Sequence, residues 1–499
     1  MKYSTVSFGQ KILFRIALSG VLLLLTPLSQ AQKMNAYLSY ASFSSPESGP
    51  YIETYLTVEG NSVAYVKNSS GKYQATIQVI MLFRKGVDIV NYDKYELNSP
   101  EVEDSVQAKF SFIDQQRYTL SNGEYEFEIQ IWDKNSDAKP FINIQPLLIE
   151  YPSNKVSVSG IQLLASYSKT ENPGILTKNG YDLIPYIFNY YPEKINKISF
   201  YAEIYNTSAV LGAGEKYLIT YYLEATGHDK PLAKFVSQKK ETTAQVNVLF
   251  SEFDISELPS GNYNLVVEAK DKQNNLIGLN RIFLMRSNPK IQIKLDDISQ
   301  LDIANTFVNQ FDNIDTLREY IKYLVPIASE QEISFAQVHL ATSDLKTLQK
   351  FFYKFWIERN ELEPEREWLN YLSEVNKVNY AYSTPILKGY ESDRGRVYLK
   401  YGPPNAISES YDEPATYPYE IWHYYVIKDG QRNKKFVFYS RDIVTNDFQL
   451  LHSDVTGELS NYRWQYVLYS RVDAGYNIEK GVSEDSWGGN SKKYFDLPR

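Results

Sequence analysis

The chain has 499 residues, no cysteine and a formal net charge of −8. A chain of this length is divided among several domains, and without disulfides each domain must be held together by its own hydrophobic core. The lack of cysteine excludes a cysteine nucleophile and thiolate metal sites, and the acidic balance argues against nucleic acid as a partner.

The first residues have the layout of a secretory signal peptide. Lys2, Lys11 and Arg15 precede an apolar run from Ile16 to Leu25, and Ser29-Gln30-Ala31 supplies small residues for cleavage. We therefore expect residues 1–31 to be removed, which would lower the net charge from −8 to −11 because they hold three basic and no acidic residues. Without a later transmembrane segment or an N-terminal cysteine, the exported protein is expected to be periplasmic or peripherally attached to the outer membrane, and not a lipoprotein.

The next region alternates apolar and polar residues in short runs separated by turns, which predicts antiparallel β-structure. Its clearest strand is 124–133, where Tyr125, Phe127, Ile129 and Ile131 point to one side. Further strands are predicted at 75–83 and 106–112, with turns at Lys85-Gly86 and Asn122-Gly123.

This pattern recurs without a gap at an offset of 138 residues. The matching residues are Phe112, Leu120, Gly123, Tyr125 and Asp133 in the first copy and Phe250, Leu258, Gly261, Tyr263 and Asp271 in the second. Tandem duplication predicts two immunoglobulin-like β-sandwiches, at 32–151 and 152–288, with the boundary near Tyr151-Pro152-Ser153-Asn154. The alternative is that Gly-x-Tyr before a strand has arisen independently in unrelated β-domains.

Helical spacing replaces the alternation in residues 289–383. One predicted stripe is Leu317, Ile321 and Leu324. A second is Leu345, Leu348, Phe352 and Phe355, capped by Ser343 or Asp344, and a third helix begins at Pro364 and carries Trp368, Leu369 and Leu372. These stripes are expected to form core.

Antiparallel β-structure is predicted again for residues 384–480. It begins with a strand at Arg396–Tyr401, entered through Gly395 and ended by Gly402, Pro403 and Pro404. Tyr419–Ile427 and Lys435–Tyr439 form a hairpin around Asp429-Gly430, and Phe448–His452 is a further strand. The polar tail, residues 481–499 with Gly488-Gly489, is expected to be loosely ordered or a docking segment. The overall prediction is a multidomain β plus α+β protein.

The C-terminal region resembles the GWxTD domain family, which is known chiefly from exported envelope proteins of Bacteroidetes and other Gram-negative phyla. The resemblance covers about Leu345 to Trp464. It is carried by Phe355-Trp356 with Arg359-Asn360, by Asn379-Tyr380-Ala381, by the run from Gly389 through Pro404, and by Tyr419-Glu420-Ile421-Trp422. Tyr390 stands where the signature has tryptophan and Ser392 where it has threonine, so any role that needs an indole N–H is in doubt. The family implies no catalytic activity that can be carried over.

The candidate site residues come from this motif and from the strand that follows it: Gly389, Tyr390, Ser392, Asp393, Arg394, Gly395, Arg396, Gly402, Pro403, Pro404, Glu420 and Trp422. A pair of Asp393 with Arg394 or Arg396 would fix the strand entrance. Alternatively the arginines hold an acidic ligand, or Asp393 and Glu420 are paired carboxylates of a glycosidase. The face of Glu420, Trp422 and Tyr424 is either an exposed platform or core covered by the helices around Phe352 and Trp368.

No catalytic residues, metal site or cofactor are predicted. None of the four histidines has metal-ligand spacing with another, and His452-Ser453-Asp454 cannot form a relay because adjacent strand residues face opposite ways. The favoured function is a non-catalytic interaction or scaffold protein in an envelope assembly or secretion complex, with protein partners. The alternatives are a carbohydrate-binding or glycan-processing protein and a structural spacer with a docking domain.

Overall fold

The computed structural model describes residues 34–104, 110–226, 230–291, 298, 301–427, 430–461, 463–470 and 490–496. The predicted signal peptide lies outside these residues. Also outside them are residues 106–109 of the strand predicted at 106–112, Asp429 of the predicted turn, and Gly488-Gly489 of the tail.

The strands of the first β-sandwich are β1 Ala36–Ser45, β2 Gly49–Glu59, β3 Val66–Lys67, β4 Tyr73–Gln74, β5 Thr76–Lys85, β6 Asp88–Asn98, β7 Ser111–Thr119, β8 Gly123–Asp133 and β9 Phe141–Ile149. They form a small antiparallel sheet of order β1-β2-β7 and a large one of order β6-β5-β8-β9. Ile52 and Leu56 of the small sheet meet Val79, Phe83 and Phe127 of the large one in a shared core. The predicted inward face of the strand at 124–133 is confirmed.

The second sandwich repeats this arrangement. Its elements are β10 Ser157–Val158, β11 Gln162–Lys169, β12 Thr177–Lys178, β13 Tyr181–Pro185, β14 Tyr190–Tyr191, β15 Lys197–Tyr205, α1 Thr207–Leu211, β16 Lys216–Ala225, β17 Pro231–Thr242, β18 Val246–Asp254, β19 Gly261–Lys270 and β20 Leu276–Arg286. The counterpart of the small sheet has six strands, in the order β10-β15-β11-β13-β12 with β18 also paired to β15. The counterpart of the large sheet has five strands, in the order β14-β20-β19-β16-β17.

Both sandwiches carry a tyrosine corner at the position that the repeat identified. The Tyr125 hydroxyl donates to the Ser121 carbonyl oxygen at 2.7 Å, and the Tyr263 hydroxyl donates to the Pro259 carbonyl oxygen at 3.1 Å. Such a bond back to the chain just before the strand is a hallmark of immunoglobulin-like sandwiches. The Gly-x-Tyr repeat therefore marks equivalent corners of two copies of one fold.

The small sheets of the two sandwiches pack against each other through their outer faces. Phe43 and Tyr55 from the first copy share a core with Leu183 and Tyr201 from the second. Glu53, on the same face of β2, is fully buried and pairs with Lys178 of the second sandwich at 2.7 Å. A buried ion pair inside an apolar interface fixes the relative orientation of the two sandwiches.

The helical region follows, and its predicted stripes form a common core. Leu317, Ile321, Leu348, Phe352 and Trp368 all belong to it, whereas Leu369 is exposed and was wrongly placed in the third stripe. Asp344 is the N-cap that accepts from the Thr347 N–H. The helices are α2 Ile314–Tyr323, α3 Glu330–His339, α4 Leu345–Arg359 and α5 Pro364–Tyr382.

An antiparallel sheet of order β21-β22-β23-β24 completes the fold, with strands β21 Ala406–Ser410, β22 Tyr419–Val426, β23 Arg432–Tyr439 and β24 Gln449–Ser453. The remaining helices are α6 Asp393–Tyr401, α7 Trp464–Tyr469 and α8 Ser491–Asp496.

The predicted strand at Arg396–Tyr401 is wrong, because this stretch is helix α6. Val397 packs with the sheet, while Leu399 packs with Val375 and Val378 of α5. A helix buried on two sides places apolar residues at positions two apart, so over five residues its pattern is the same as that of a strand.

The tail lies against the sheet where it is described. Phe495 of α8 contacts the rings of His452 and Trp464, with centroids 5.7 and 5.3 Å apart. The Asn490 N–H donates to Glu413 at 3.2 Å, and Ser491 is buried. Residues 490–496 therefore pack on the C-terminal sheet, and the rest of the predicted tail lies outside the described residues.

Candidate functional site

The motif opens with a turn that seats helix α6. The Ser392 hydroxyl accepts from the Gly395 N–H at 3.1 Å and donates to the Gly389 carbonyl oxygen at 2.7 Å. Ser392 is thus the N-cap, and Asp393 places a negative charge in the first helical turn, where the helix dipole favours it. The hydroxyl at the threonine position of the signature caps a helix and does not enter a strand.

Gly389 and Gly395 lie at the closest approach between this turn and helix α5. A Cβ on Gly389 would lie 2.1 Å from the Val378 carbonyl oxygen, and a Cβ on Gly395 would lie 1.9 Å from the Gly389 carbonyl oxygen. Both contacts are with backbone, which cannot move away as a side chain can. Glycine is required at these two positions because of this close packing. The predicted role of Gly395 as the entry to a strand is wrong.

Tyr390 occupies the position of the signature tryptophan and is buried. Its hydroxyl lies 3.3 Å from a carboxylate oxygen of Glu319 and 3.2 Å from one of Glu391, and its ring contacts Tyr323 at 4.8 Å. Burial, followed by the neighbouring negative charges, raises the pKa of Tyr390, so its phenol stays protonated as a donor. A phenol therefore supplies a polar donor at this position despite the loss of the indole.

Arg394 joins helix α6 to the sheet. Its Nη1 donates to Glu420 Oε1 at 2.7 Å, and its Nη2 donates to the carbonyl and side-chain oxygens of Asn446 at 2.9 and 3.0 Å. The guanidinium carbon lies 4.2 Å from the centre of the Phe448 ring and 5.0 Å from that of Tyr382. The pair is almost fully buried, with 6% of each side chain exposed.

Both carboxylate oxygens of Glu420 have further hydrogen-bond partners. Trp422 Nε1 donates to Oε2 at 2.9 Å, and the Tyr411 hydroxyl lies 3.0 Å from Oε1. Trp422 and Tyr424 are buried, so the face of β22 that they share is core. Val397, Tyr398 and Tyr401 of α6 cover it together with Tyr382 at the C-terminal end of α5, the helix that carries Trp368, whereas Phe352 and Trp368 themselves belong to the separate core of the helical region.

Three side chains of helix α6 meet one carboxylate that sequence reasoning missed. Arg396 Nη2, Lys400 Nζ and the Tyr401 hydroxyl lie 2.9, 2.6 and 2.7 Å from Glu458. Burial opposes ionisation, but the Arg396 hydrogen bond and the Lys400 charge lower the pKa of Glu458 to about 2. Glu458 lies in a loop far along the chain, and no spacing signal links it to α6.

The predicted pairing of Asp393 with Arg394 or Arg396 is wrong. Asp393 accepts from the Leu450 backbone N–H at 2.7 Å, while the two arginines pair with Glu420 and Glu458. Asp393 and Glu420 thus bind different partners and are not arranged as an acid–base pair around shared space. Gly402 ends α6 with φ of +85°, and Pro403 and Pro404 lead from it into β21.

The contacts of this cluster hold α6 in place: Arg394 pairs with Glu420, Arg396 and Lys400 pair with Glu458, and Asp393 accepts a backbone N–H of β24. Among the described residues no group of three or more His, Asp or Glu could hold a metal ion. His452 Nδ1 accepts from the Asn461 N–H at 3.1 Å, and the Ser453 hydroxyl donates to the Lys435 carbonyl oxygen. In the described part of the chain, no helix combines the length and apolar character needed to cross a bilayer.

A large open cavity lies apart from the motif, where the two sandwiches and the C-terminal sheet meet. Its volume is about 1240 Å³. The walls are β1, β9, the segments 155–163 and 186–189, and β20, and the tip of the β22–β23 hairpin borders it at Gly430. We call this cavity the junction groove.

The strand orders and the helix-plus-sheet unit define the class of the protein: two tandem immunoglobulin-like β-sandwiches followed by an α+β domain. Residues 292–465 match the family model of the GWxTD domain. This part of the chain is therefore a GWxTD domain. The match begins well before Leu345, so the domain includes the helical region as well as the sheet.

Two further comparisons add little to this assignment. Among solved structures, the fibronectin(III)-like modules of CbhA from Clostridium thermocellum match with 11% identity over 49% of this chain and 89% of that chain, with a TM-score of 0.15. At that TM-score the likeness carries no weight, and the sandwich assignment rests on strand pairing. The comparison with curated proteins finds no match.

Proposed function

We propose that this protein is a non-catalytic interaction or scaffold component of an assembly or secretion complex in the cell envelope, acting in the periplasm or at the outer membrane. The observation that carries the proposal is the fixed packing of its units. The sandwiches are joined by the buried Glu53–Lys178 pair and a shared apolar core. Gly457 of the GWxTD domain faces the Phe283 ring of the second sandwich.

Rigid packing of units favours a platform over a flexible tether. A linker that only sets distance needs no buried ion pair between its parts, whereas a surface built from several units requires their orientation to be constant. The charged motif supports the same conclusion, because Arg394, Arg396 and Glu420 are bound to partners inside the domain. Function then depends on surfaces that the folded units present together.

The proposal is tested by co-purification from gently solubilised envelopes of the native cells, using the full-length protein with a C-terminal tag. Defined protein partners should be recovered in constant ratio. The test variant is Lys178→Ala, which loosens the packing of the two sandwiches without altering the GWxTD domain and should reduce the recovery of partners. A strictly monomeric protein that enriches nothing would refute the proposal.

A carbohydrate-binding role is the second candidate, favoured by the lining of the junction groove. Exposed rings of Tyr37 and Phe188 lie near the amides of Asn143, Gln145 and Asn189. Aromatic faces with neutral amides suit sugar rings and hydroxyls. A glycan array decides this candidate; signals that disappear in Phe188→Ala would support it, and silence across the array would remove it.

A further inference from the structure

Strand β1 leaves one backbone edge open in the described part of the chain. It pairs with β2 alone, and the Glu59 N–H donates to the Asn35 carbonyl oxygen, so odd-numbered residues of β1 bond to β2. Since backbone groups alternate in direction along an antiparallel strand, those of Ala36, Leu38 and Tyr40 point away from β2. An edge strand of this kind is a template for another strand.

The open edge faces the junction groove. Every residue from Ala36 to Ser42 lines the groove. Because successive side chains point to opposite faces of a sheet, lining by consecutive residues means that the groove runs along the edge of the strand. At the far end this edge is already used, since the Gly160 N–H donates to the Ser42 carbonyl oxygen at 2.7 Å. The groove continues from an existing backbone contact.

Two other strands that wall the groove have partly blocked edges. In β9 the residues that point away from β8 are even-numbered, and one of them is Pro146, which has no N–H. In β20 the outward N–H of Arg281 is bound by the Asn280 side chain at 2.8 Å, and β14 covers the end at Met285. Of these three strands, β1 is the one with three successive outward N–H groups, at Ala36, Leu38 and Tyr40, that no proline or side-chain bond interrupts.

The second sandwich shows what occupies the corresponding edge in the duplicate. There β11 lies beside β15, as β1 lies beside β2, and its other edge pairs antiparallel with β13 from Ser166 to Lys169. The Tyr186 N–H extends this pairing to the Leu163 carbonyl oxygen. The occupant of this edge in the second copy is an extended segment of chain.

We infer that the junction groove receives an extended peptide segment of a protein partner, which adds as a strand to β1 along Ala36–Tyr40. This inference rests on the proposed function and names how a partner is held. The volume of about 1240 Å³ exceeds the roughly 300–1,000 Å³ of small-molecule sites, which suits an extended chain. The charged groups in the lining are Glu150, Lys155 and Arg281, and Arg281 is paired with Glu224. Glu150 and Lys155 leave one charge of each sign, so the segment is expected to carry no large net charge.

Hydrogen exchange on the full-length protein tests the inference directly. The probe is a capped synthetic peptide of alternating threonine and valine residues, long enough to span Ala36–Tyr40. At saturation the exchange rates of the Leu38 and Tyr40 amides should fall by at least about tenfold, because these amides donate to the probe. The same peptide N-methylated at every residue lacks the backbone donors of both edges and should neither bind nor protect. Equal binding of both peptides, or protection of these amides by cello-oligosaccharides alone, would overturn the inference.

Leu38→Pro removes one outward donor and should weaken probe binding about tenfold. Ala36→Pro is the second variant, because both residues pack on the sandwich core but Ala36 has the smaller side chain and is the first residue of β1, where proline is tolerated. The matched control is Lys94→Pro, an exposed, outward position on β6 at the opposite edge of the same sandwich, which should leave binding unchanged. Dimerisation of the free protein through β1, abolished by Leu38→Pro, would show a second copy as the occupant and overturn the inference.

Failure of the inference can be told apart from failure of the proposed function. If envelope partners co-purify equally with Ala36→Pro and Lys94→Pro, the interaction role stands and the strand-acceptor role of β1 is refuted. If no partner is recovered while the probe still protects Leu38, the strand-acceptor site stands and the envelope role is refuted.

Discussion

The paired sandwiches and the GWxTD domain use buried carboxylates for different purposes. In the sandwiches, Glu53 lies on an outer face of one unit and is bound by Lys178 of the other. In the GWxTD domain, Glu420 and Glu458 are bound by Arg394, Arg396 and Lys400, all from helix α6 of the same unit. The same chemistry therefore joins two folded units in one region and seats a helix on its own sheet in the other.

This difference predicts which transition each change affects. Breaking a pair in the GWxTD domain should unfold that domain, because α6 lies between α5 and the sheet. Breaking the pair between the sandwiches should separate units that each retain a complete core. Denaturant unfolding followed by hydrogen exchange resolves the two regions.

The largest effect is expected from Gly395→Val. Its Cβ would lie 1.9 Å from the Gly389 carbonyl oxygen and 2.7 Å from Val378 Cγ1, so the turn and α5 cannot both keep their places. We expect a loss well above the usual ~1–3 kcal/mol of overpacking, with no folded GWxTD domain while the sandwiches remain protected. Gly174→Ala is the control, because a Cβ there meets no atom within 4 Å. A protected GWxTD domain in Gly395→Val would contradict the helix packing described above.

Arg394→Ala should destabilise the GWxTD domain by about 3–5 kcal/mol, since it leaves Glu420 buried without its cation. The free energy of unfolding from urea titration measures this loss. Arg366→Ala removes the exposed pair with Glu363 and should cost under about 1 kcal/mol. Well-folded Arg394→Ala that loses only a binding activity would instead assign Arg394 to a ligand site.

Acid should weaken the GWxTD domain through Glu458. Its pKa falls from 4.5 to about 2 on folding, so its contribution is complete above pH 4.5 and is lost as the pH falls toward 2. The contribution is about 3 kcal/mol by linkage. In the unaltered protein the urea midpoint of the GWxTD domain should fall as the pH decreases through this range. In Glu458→Gln the midpoint should depend less on pH. An unchanged pH dependence in that variant would show that other groups govern acid unfolding.

The smallest effect is expected from Lys178→Ala, at about 2 kcal/mol, because Glu53 keeps Arg117 and the Tyr55 hydroxyl as partners. The two sandwiches should then unfold in separate steps, seen by hydrogen exchange. Lys197→Ala breaks an exposed pair with Glu252 and should leave their unfolding coupled. If Lys178→Ala unfolds both sandwiches as one, the ion pair is not what couples them.

The strongest sequence predictions concerned long periodic segments. The alternation in 124–133 predicts a strand with one buried face, and the helical spacing around Leu348 and Phe352 predicts a helix with one buried face. Both predictions are confirmed. The Gly-x-Tyr repeat predicted a shared corner, because a tyrosine corner depends on neighbours within four residues. The GWxTD motif was recognised for the same reason: its residues are contiguous.

The errors occurred where contacts are distant in sequence. Helix α6 is too short for its period to be read, and burial on two sides gave it the pattern of a strand. Arg394 and Arg396 were assigned to adjacent Asp393, although their carboxylates come from β22 and from the loop at Glu458.

The sequence by itself determined the two sandwiches, the helical segment and the motif, because periodicity and short-range turns are encoded locally. Only the tertiary structure decided that the motif is a helix seated by buried ion pairs, that the sandwiches pack through Glu53 and Lys178, and that β1 borders the junction groove. These features depend on which faces and edges meet in space. Pairing between residues 26 to 125 positions apart leaves no periodic trace in the chain.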